Sequence, residues 1–447
     1  MKFSRYCFFV SNKRGYFLFS TLFFSILQVD ESVFIKLQEY KDICDIDELA
    51  VGKELFSVLL ENGFLCNSFE DEYRAFQQNC LNARGDDRDL HLTIIPTMNC
   101  CFSCNYCFEK KKQVGVISSD TISSVINYIK QKNPDSLHVT WFGGEPLLAI
   151  KQIEEFSSKI DCNYHGDYSS DIITTGFHID KSIVDVLKRC HVSDVQVTID
   201  GGKDNHNRIK YTRQCPDTFS RVIENIDLLT SEIPDIHCII RVNVTKQNID
   251  DIPPLFSMIS QRFMARNVWL SPSLVIQNGV ACSEQLFSSD DYRTLSQMWW
   301  SRDKIPTKWI YGADRTECAI RKPSSIVVIP DGSICRCWEV AGDEEFSVGR
   351  LTKDGSILFS KAGDSFNERL RLFDPFTSET CSTCPYLPIC YDGCPIKGIK
   401  QSHANGINTP ICTSYKDHLD EWLEIYLDYK ESQFDLSTQD DWTTKSD

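Results

Sequence analysis

The residues with the clearest chemical potential lie in one stretch, Ile94 to Glu109, which reads IIPTMNCCFSCNYCFE. Cys100, Cys104 and Cys107 stand there in a CxxxCxxC spacing, with Tyr106 directly before the last. Three thiolates on a short loop can hold three irons of a [4Fe–4S] cluster, because such clusters are ligated by cysteine sulfur. The fourth iron then stays open to a substrate or cofactor. The competing readings are a zinc loop or a buried cysteine cluster. Zinc usually takes paired CxxC or Cys/His sets with four closed ligands, and no fourth ligand follows nearby in that rhythm. Cys101 fits only a different spacing and reads as a spare thiol.

Such a loop needs strands and helices to hold it. From His91 onward short apolar runs alternate with amphipathic helical stretches. The runs Leu92 to Pro96, Leu137 to Trp141, Asp171 to Thr175, Asp194 to Ile199, Ile236 to Val244 and Val268 to Leu274 predict six strands. Ile122, Val125, Ile126 and Ile129 mark one intervening helix, and Phe219, Val222, Ile223 and Ile226 another. Six βα units predict a parallel sheet with right-handed crossovers, the size of a partial (β/α)6 TIM-type barrel. Functional loops of such barrels follow the C-terminal ends of strands, and the cysteine loop follows the first.

Two more polar groups occupy equivalent places. Gly143-Gly144-Glu145-Pro146 follows the second strand. Its glycines allow close backbone approach, and its carboxylate can pair with an amine. In Gln196-Val197-Thr198-Ile199-Asp200-Gly201, Gln196, Thr198 and Asp200 fall on one strand face. Polar groups there need partners, either a ligand's ribose or carboxylate or the loop backbone at the barrel mouth.

At 447 residues the chain suggests two or three domains. Its 42% hydrophobic and 25% charged residues are those of a globular protein. A net charge of -16 argues against nucleic acid, whose binding needs Lys and Arg to displace counterions. A basic peptide is the more natural partner, and an acidic surface is also an ordinary route to solubility. The 21 cysteines are odd in number and clustered, unlike a disulfide framework, and read as metal ligands in a reducing compartment. The apolar run Tyr16 to Leu27 is broken by Ser20, Thr21 and Ser25 and has no following cleavage site. Neither export nor a membrane span is expected, which places the protein in the cytoplasm.

Ahead of the barrel, residues 5–29 predict a hairpin around Asn12-Lys13-Arg14-Gly15 plus a third strand at Leu22 to Val29. Helices are expected near Asp30 to Tyr40 and Asp47 to Asn62, the second capped by Gly63 and carrying Leu49, Leu55, Val58 and Leu59. This small α+β unit, residues 1–88, is similar in order of elements to winged-helix leader-recognition units, which bind a peptide by strand addition. A plain cap is the alternative. Residues 89–310 then form the barrel, 311–430 a cysteine-rich domain and 431–447 a polar tail expected to be disordered after Gln433. Cys7, Cys44, Cys66, Cys80, Cys162, Cys190, Cys215, Cys238 and Cys282 read as small core residues. A helix from Tyr415 to Tyr429 is expected to pack Leu419, Trp422, Leu423 and Tyr426 on the barrel or the cysteine-rich domain.

CxxxCxYC, GGEPL, TIDG followed by His206, and IRVNVTKQN from Ile240 to Asn248 together resemble the radical S-adenosylmethionine (SAM) enzymes. The resemblance implies that Cys100, Cys104 and Cys107 hold a cluster whose open iron chelates SAM. It implies that Tyr106 approaches the adenine, that Gly143, Gly144 and Glu145 approach the amino group, and that Thr198 is a further SAM contact. A basic residue for the carboxylate falls on Lys210 or on Arg208. Thr174-Thr175-Gly176 stands where many relatives have Thr-Asn-Gly. The shared chemistry is reductive cleavage of SAM to a 5′-deoxyadenosyl radical that abstracts a hydrogen atom from substrate.

A second cysteine set, Cys318, Cys337, Cys381, Cys384, Cys390, Cys394 and Cys412, resembles the SPASM extension of these enzymes, which binds two auxiliary [4Fe–4S] clusters. A zinc ribbon shares CxxC but does not account for seven ordered cysteines. By matching positions, Cys381, Cys384, Cys390 and Cys412 close one cluster and Cys318, Cys337 and Cys394 hold the other. The segment Ala319 to Ile334 lacks the further cysteine of fully ligated relatives, so either Cys335 completes the site or one iron stays open.

The resemblance implies a peptide maturase that forms a thioether or carbon–carbon link in a ribosomally made precursor peptide, fed by an electron donor such as flavodoxin or ferredoxin. The alternative is a maturase resembling the anaerobic sulfatase-maturating enzymes. There an Asp follows the cysteine of the Gx4C element as base; here Trp338 follows Cys337, and Glu339 is the nearest candidate. A third reading is a non-catalytic iron–sulfur electron carrier or redox sensor, which has no use for GGEP or TIDG.

Overall fold

The computed structural model describes every residue except 44, 108, 110–114, 276–288, 312–316, 392, 406–410 and 438–447. At the N-terminus, β1 (Lys2–Phe3) precedes the hairpin of β2 (Cys7–Asn12) and β3 (Gly15–Ser20), with β4 (Ile26–Val29) completing a three-stranded antiparallel sheet. The turn closes because the Asn12 side chain accepts from the Arg14 amide (2.9 Å) and Gly15 takes φ +132°, which favours glycine. The helix Glu31–Ile43 follows, and β5 (Leu65–Cys66) pairs with β1.

The predicted helix over 47–62 is broken. Gly52, at φ +86°, splits it into Glu48–Val51 and Lys53–Glu61. The break rotates Leu49 off the apolar face and leaves it 96% exposed, whereas Leu59 is buried. Sequence reasoning also passed over the helix Phe69–Gly85. Its signals are a Ser68 N-cap, an acidic first turn and Phe76 and Cys80 one turn apart, both buried.

The six barrel strands are present: β6 (Asp89–Thr97), β7 (Ser136–Gly143), β8 (Asp167–Thr174), β9 (Val192–Ile199), β10 (His237–Val244) and β11 (Val268–Leu274). They pair in parallel in sequential order. Alternation sets what faces where. Val195, Val197 and Ile199 on β9, with Cys238, Ile240, Val242 and Val244 on β10, are buried in one continuous core with Ile122, Val125, Ile129, Val222 and Ile226 of the helices. The intervening residues, Gln196 and Thr198 on β9 and Arg241 and Asn243 on β10, are half-buried on the opposite, concave face.

The sheet does not stop at β6. β12 (Val327–Val328) pairs with it in parallel, and β13 (Ser333–Cys335), β14 (Gly349–Leu351) and β15 (Ile357–Phe359) extend it antiparallel to ten strands. The cysteine-rich region thus grows out of the barrel's own sheet.

The C-terminal helix, Leu419–Ser437, continues past Gln433, where the sequence suggests the disordered tail begins. Residues 438–447 lie outside the described residues, as do Cys44 and Cys282. Trp422 and Leu423 pack in a core with Phe17 and Phe19 of the N-terminal sheet, Trp309 and Tyr386. The helix therefore packs on the cysteine-rich region, one of the two seats expected, and joins it to the first strands of the chain. Of the scattered cysteines, Cys7, Cys66, Cys80, Cys190 and Cys238 are buried, Cys215 is half-buried and Cys162 is exposed at the end of its helix. Among the described residues no helix is long and apolar enough to cross a membrane.

Trp422 is 1% exposed, and its indole N–H donates to the Trp309 carbonyl (3.1 Å). Its ring meets Phe19 at 5.5 Å and stacks on Tyr426 at 4.8 Å. W422A is expected to cost about 3–5 kcal/mol locally. In hydrogen exchange the amides of β2 and β3 lose protection while those of β7–β10 keep theirs; equal loss everywhere would show that the helix is not a local clasp.

Candidate active site

The cysteine loop is held by the neighbouring strand end. The Gly144 amide donates to the Thr97 carbonyl (3.2 Å) and the Glu145 amide to the Asn99 carbonyl (2.8 Å). A Cβ on Gly144 would lie 2.3 Å from the Asn99 oxygen and 2.5 Å from the Met98 oxygen. One on Gly143, itself at φ +126°, would lie 2.5 Å from the Thr97 oxygen. Only glycine admits this contact between backbones. The two glycines therefore seat the segment that carries Cys100.

Glu145 is fully buried. Oε1 accepts from the Leu147 amide (3.0 Å) and the Thr174 hydroxyl (2.7 Å); Oε2 accepts from the Thr175 amide (2.8 Å) and the Thr175 hydroxyl. Four donors fill the carboxylate's acceptor sites, so an amine reaches it only by displacing one. Thr174 and Thr175, to which the sequence assigned no role, are the hydroxyls that hold it. Cys101 lies behind the loop: a hydrogen bond with Cys100, then burial, pushes its thiol far up, and Thr175 contacts it.

Tyr106 points from the loop into a buried polar cluster. Its hydroxyl donates to Asp200 Oδ1 (2.5 Å) and accepts from Asn243 Nδ2 (3.2 Å) and Lys210 Nζ (3.3 Å). Lys210 also forms an ion pair with Asp200 Oδ2, and both side chains are almost wholly buried. The structure separates the two candidate cations. Lys210 enters this cluster, whereas Arg208 is exposed and turns to Asn205 and Gln247. Asn248 holds the carbonyls of Asp200 and Asn243, both at 3.0 Å. His206 is buried: Nδ1 accepts from the Asp200 amide (3.3 Å), Nε2 meets no partner among the described residues, and burial, helped by Lys210, lowers its pKa to about 3.

Thr198 lies in register with Arg241 on the concave face. Arg241 donates from Nε to Asn243 Oδ1 (3.2 Å) and stands in the fields of Tyr292, Tyr106 and Glu339. Glu339 follows Trp338, whose ring stacks on Phe142 of β7 at 5.4 Å and 26°. That stack draws the segment after Cys337 over the barrel mouth. The motif containing Arg241 and Asn243 was visible in the sequence, but only the strand pairing shows where its alternate residues point.

Among the later cysteines, Cys337 is half-buried and Cys318 exposed; partial desolvation raises both thiols, and the nearby Cys394 thiol raises each further. These three thus share one neighbourhood, as their assignment to one cluster requires. Cys335 packs in the main core and donates to the Cys337 carbonyl (3.3 Å), with burial lifting its thiol to about 12. Cys384 and Cys412 both act on Lys416, whose Nζ is 3.9 Å from Cys412 Sγ. Cys381 joins them through the Cys384 amide, which donates to its carbonyl (3.0 Å), and Cys390 ends the short helix Leu387–Cys390. Among the described residues no three Cys, His, Asp or Glu side chains converge tightly enough for a single metal ion. A [4Fe–4S] cluster gives each thiolate its own iron and so spreads its ligands more widely. Half-buried Cys100, Cys104 and Cys107, with Cys104 in the field of Cys100, fit that looser demand beside the Tyr106 cluster.

Comparison with known proteins agrees with this arrangement. Residues 94–259 match the family model of the Radical SAM superfamily. The chain is 22% identical over 369 residues to the cysteine-type anaerobic sulfatase-maturating enzyme of Clostridium novyi (strain NT), spanning 75% of this chain and 95% of that protein. It is 24% identical over 213 residues to the radical SAM cyclopropyl synthase TigE of Paramaledivibacter caminithermalis, spanning 42% of this chain and 44% of the relative. Its fold is similar to that of anSMEcpe with bound AdoMet and Kp18Cys peptide, at a TM-score of 0.59, 17% identity and coverage of 79% and 100% of the two chains. It is also similar to Streptococcus suis SuiB bound to precursor peptide SuiA, at a TM-score of 0.50, 16% identity and coverage of 89% and 96%. Residues 94–259 are thus a domain of the Radical SAM superfamily, and the chain is an enzyme whose cofactor system is S-adenosylmethionine with [4Fe–4S] iron–sulfur chemistry.

Proposed function

We propose that the chain is a maturase that oxidatively links residues of a ribosomally made peptide through a thioether or carbon–carbon bond. One observation carries the reading: the segment that bears Cys337 also reaches over the barrel mouth, through the Trp338–Phe142 stack, and brings Glu339 into the field of Arg241. A thiol of the second cysteine set and the concave face of the barrel are thereby joined by two residues of chain. The relatives that carry peptides in their solved structures support a peptide substrate.

In this reading Cys100, Cys104 and Cys107 hold the cluster that binds SAM, and Cys318, Cys337 and Cys394, with Cys381, Cys384, Cys390 and Cys412, hold two more. The bound group supplies a carbon radical that takes a hydrogen atom from the peptide. Tyr106 and Lys210 line the cofactor side, Thr198 lies beside them, and Lys210, held by Asp200, offers the cation for a carboxylate. His206, kept neutral, fixes the Asp200 backbone. Glu339 would take the proton released when the new bond forms, and the clusters held by the second cysteine set would accept the electron left behind. A flavodoxin or ferredoxin supplies the electron that starts each turnover.

The sulfatase-maturase reading keeps one point in its favour: Glu339 stands near the position of the base it requires. Product analysis separates the two. Anaerobic turnover with the peptide encoded beside the gene is expected to give a product lighter by a pair of hydrogen atoms. An aldehyde trapped by hydroxylamine would favour the other maturase instead.

The enzyme incubated with SAM and a strong reductant should release 5′-deoxyadenosine, and C104A should release none although it folds. Release by C104A equal to wild type would remove that loop from the chemistry. K210M leaves the buried Asp200 charge unpaired and is expected to cost about 3–5 kcal/mol in denaturant unfolding. Adding D200N should restore much of that stability without restoring SAM cleavage. His206 is neutral when folded but gains a proton when unfolded below its ordinary value of 6.5. Stability should therefore fall as pH drops from about 6.5 toward 3. H206Q should flatten that slope in denaturant midpoints read across the range; an unchanged slope would show that His206 is not what titrates.

A further inference from the structure

Among the described residues the ten-stranded sheet ends at β15, with no strand paired to its outer edge. Ser360 N donates to the Val348 carbonyl (3.0 Å) and Thr352 N to the Ser356 carbonyl (2.9 Å). With Arg350 opposite Leu358, these bonds fix the phase of the ladder: residues 356, 358 and 360 turn their backbone groups toward β14. Ile357 and Phe359 therefore turn theirs outward. Leu358 and Phe359 are 67% and 62% exposed, on opposite faces of this edge.

A cavity of about 400 Å3 lies under the same edge, between the sheet and the helix Lys361–Leu372, and the side chains of Ile357 and Phe359 line it. Its inner end is electrically balanced, since Arg84 and Arg321 face Glu317 and Asp374. Its remaining charges are cationic. Arg336 donates only to the Ile320 carbonyl, and Arg371 is exposed; neither forms an ion pair among the described residues. In a chain of net charge -16, this is a local surplus of positive charge.

We infer that β15 is a docking edge for an extended acidic peptide, which adds as an antiparallel or parallel strand against Ile357 and Phe359 and places alternate carboxylate side chains over the arginine-lined cavity. The outward amides supply main-chain affinity, and the side-chain period of two delivers every second residue to one face. A second copy of this chain is disfavoured as occupant, because edge-to-edge pairing brings one cationic rim against another. The occupant rests on the peptide-maturase reading; the binding site does not.

The probe is a fluorescein-labelled nonapeptide alternating Glu with Val and Leu, titrated at low salt into the full chain and read by anisotropy, with a Lys-for-Glu counterpart. The acidic peptide should bind about tenfold tighter or better than the basic one, a difference of about 1.4 kcal/mol. F359P removes an outward N–H at a position where an edge strand tolerates proline, and should lose about tenfold of that affinity. R371E should lose a similar factor and gain affinity for the Lys peptide. Both variants should keep SAM cleavage in the absence of peptide. Equal binding of the two peptides, no binding to wild type, binding unchanged in F359P and R371E, or a concentration-dependent dimer abolished by F359P would each overturn the inference. A chain that binds the probe through this edge yet links no peptide would instead refute the maturase reading.

Discussion

The contact on which the site depends is backbone against backbone. Gly143 and Gly144 at the end of β7 lie so close to residues 97–99 that no side-chain carbon fits between them. Two amide hydrogen bonds then fasten the segment that leads to Cys100. Glu145 extends the brace to β8 by taking four hydrogen bonds in a fully buried position. Three consecutive strand ends are thereby bound into one rim, and the cysteine loop is the part of that rim that projects. A substitution in GGEP therefore acts on the loop's position.

The polar groups inside the rim follow a second constraint. A buried charge must be paired, and a buried polar group must find a partner. Lys210 meets both demands through Asp200 and Tyr106, and Asn248 ties the Asp200 carbonyl to β10. His206 meets only one of its own, since Nε2 has no partner among the described residues, and burial keeps it neutral. The cluster is therefore preorganised, with positive charge held at a place where water is largely excluded. That is the arrangement in which a fixed cation acts most strongly on an incoming carboxylate.

Much of the fold was legible in the sequence because the barrel strands alternate. Val195, Val197 and Ile199 against Gln196 and Thr198 state both the strand and its buried face, and the six predicted strands match β6 to β11 with small shifts at their ends. What the pattern could not show was non-local. Glycines announce a close approach but not the partner, so the contact of GGEP with Asn99 shows only in the structure. Lys210 and Arg208 are equivalent by position, and only the turn of the helix Lys203–Ile209 sends one inward. Leu49 fits a helical stripe that Gly52 interrupts. The short strands β12 to β15 carry too few residues to announce a period, although they extend the sheet to its free edge.

That extension has a consequence for electron flow. β6 runs directly into the cysteine loop, β12 is paired to β6 through Val327 and Thr93, and β13 leads at once to Cys335 and Cys337. The loop and the later cysteine are thus fastened to one hydrogen-bonded sheet and not to two bodies joined by a hinge. In the proposed reading, the gap an electron crosses between clusters at these two places is therefore set by the pairing of β6, β12 and β13.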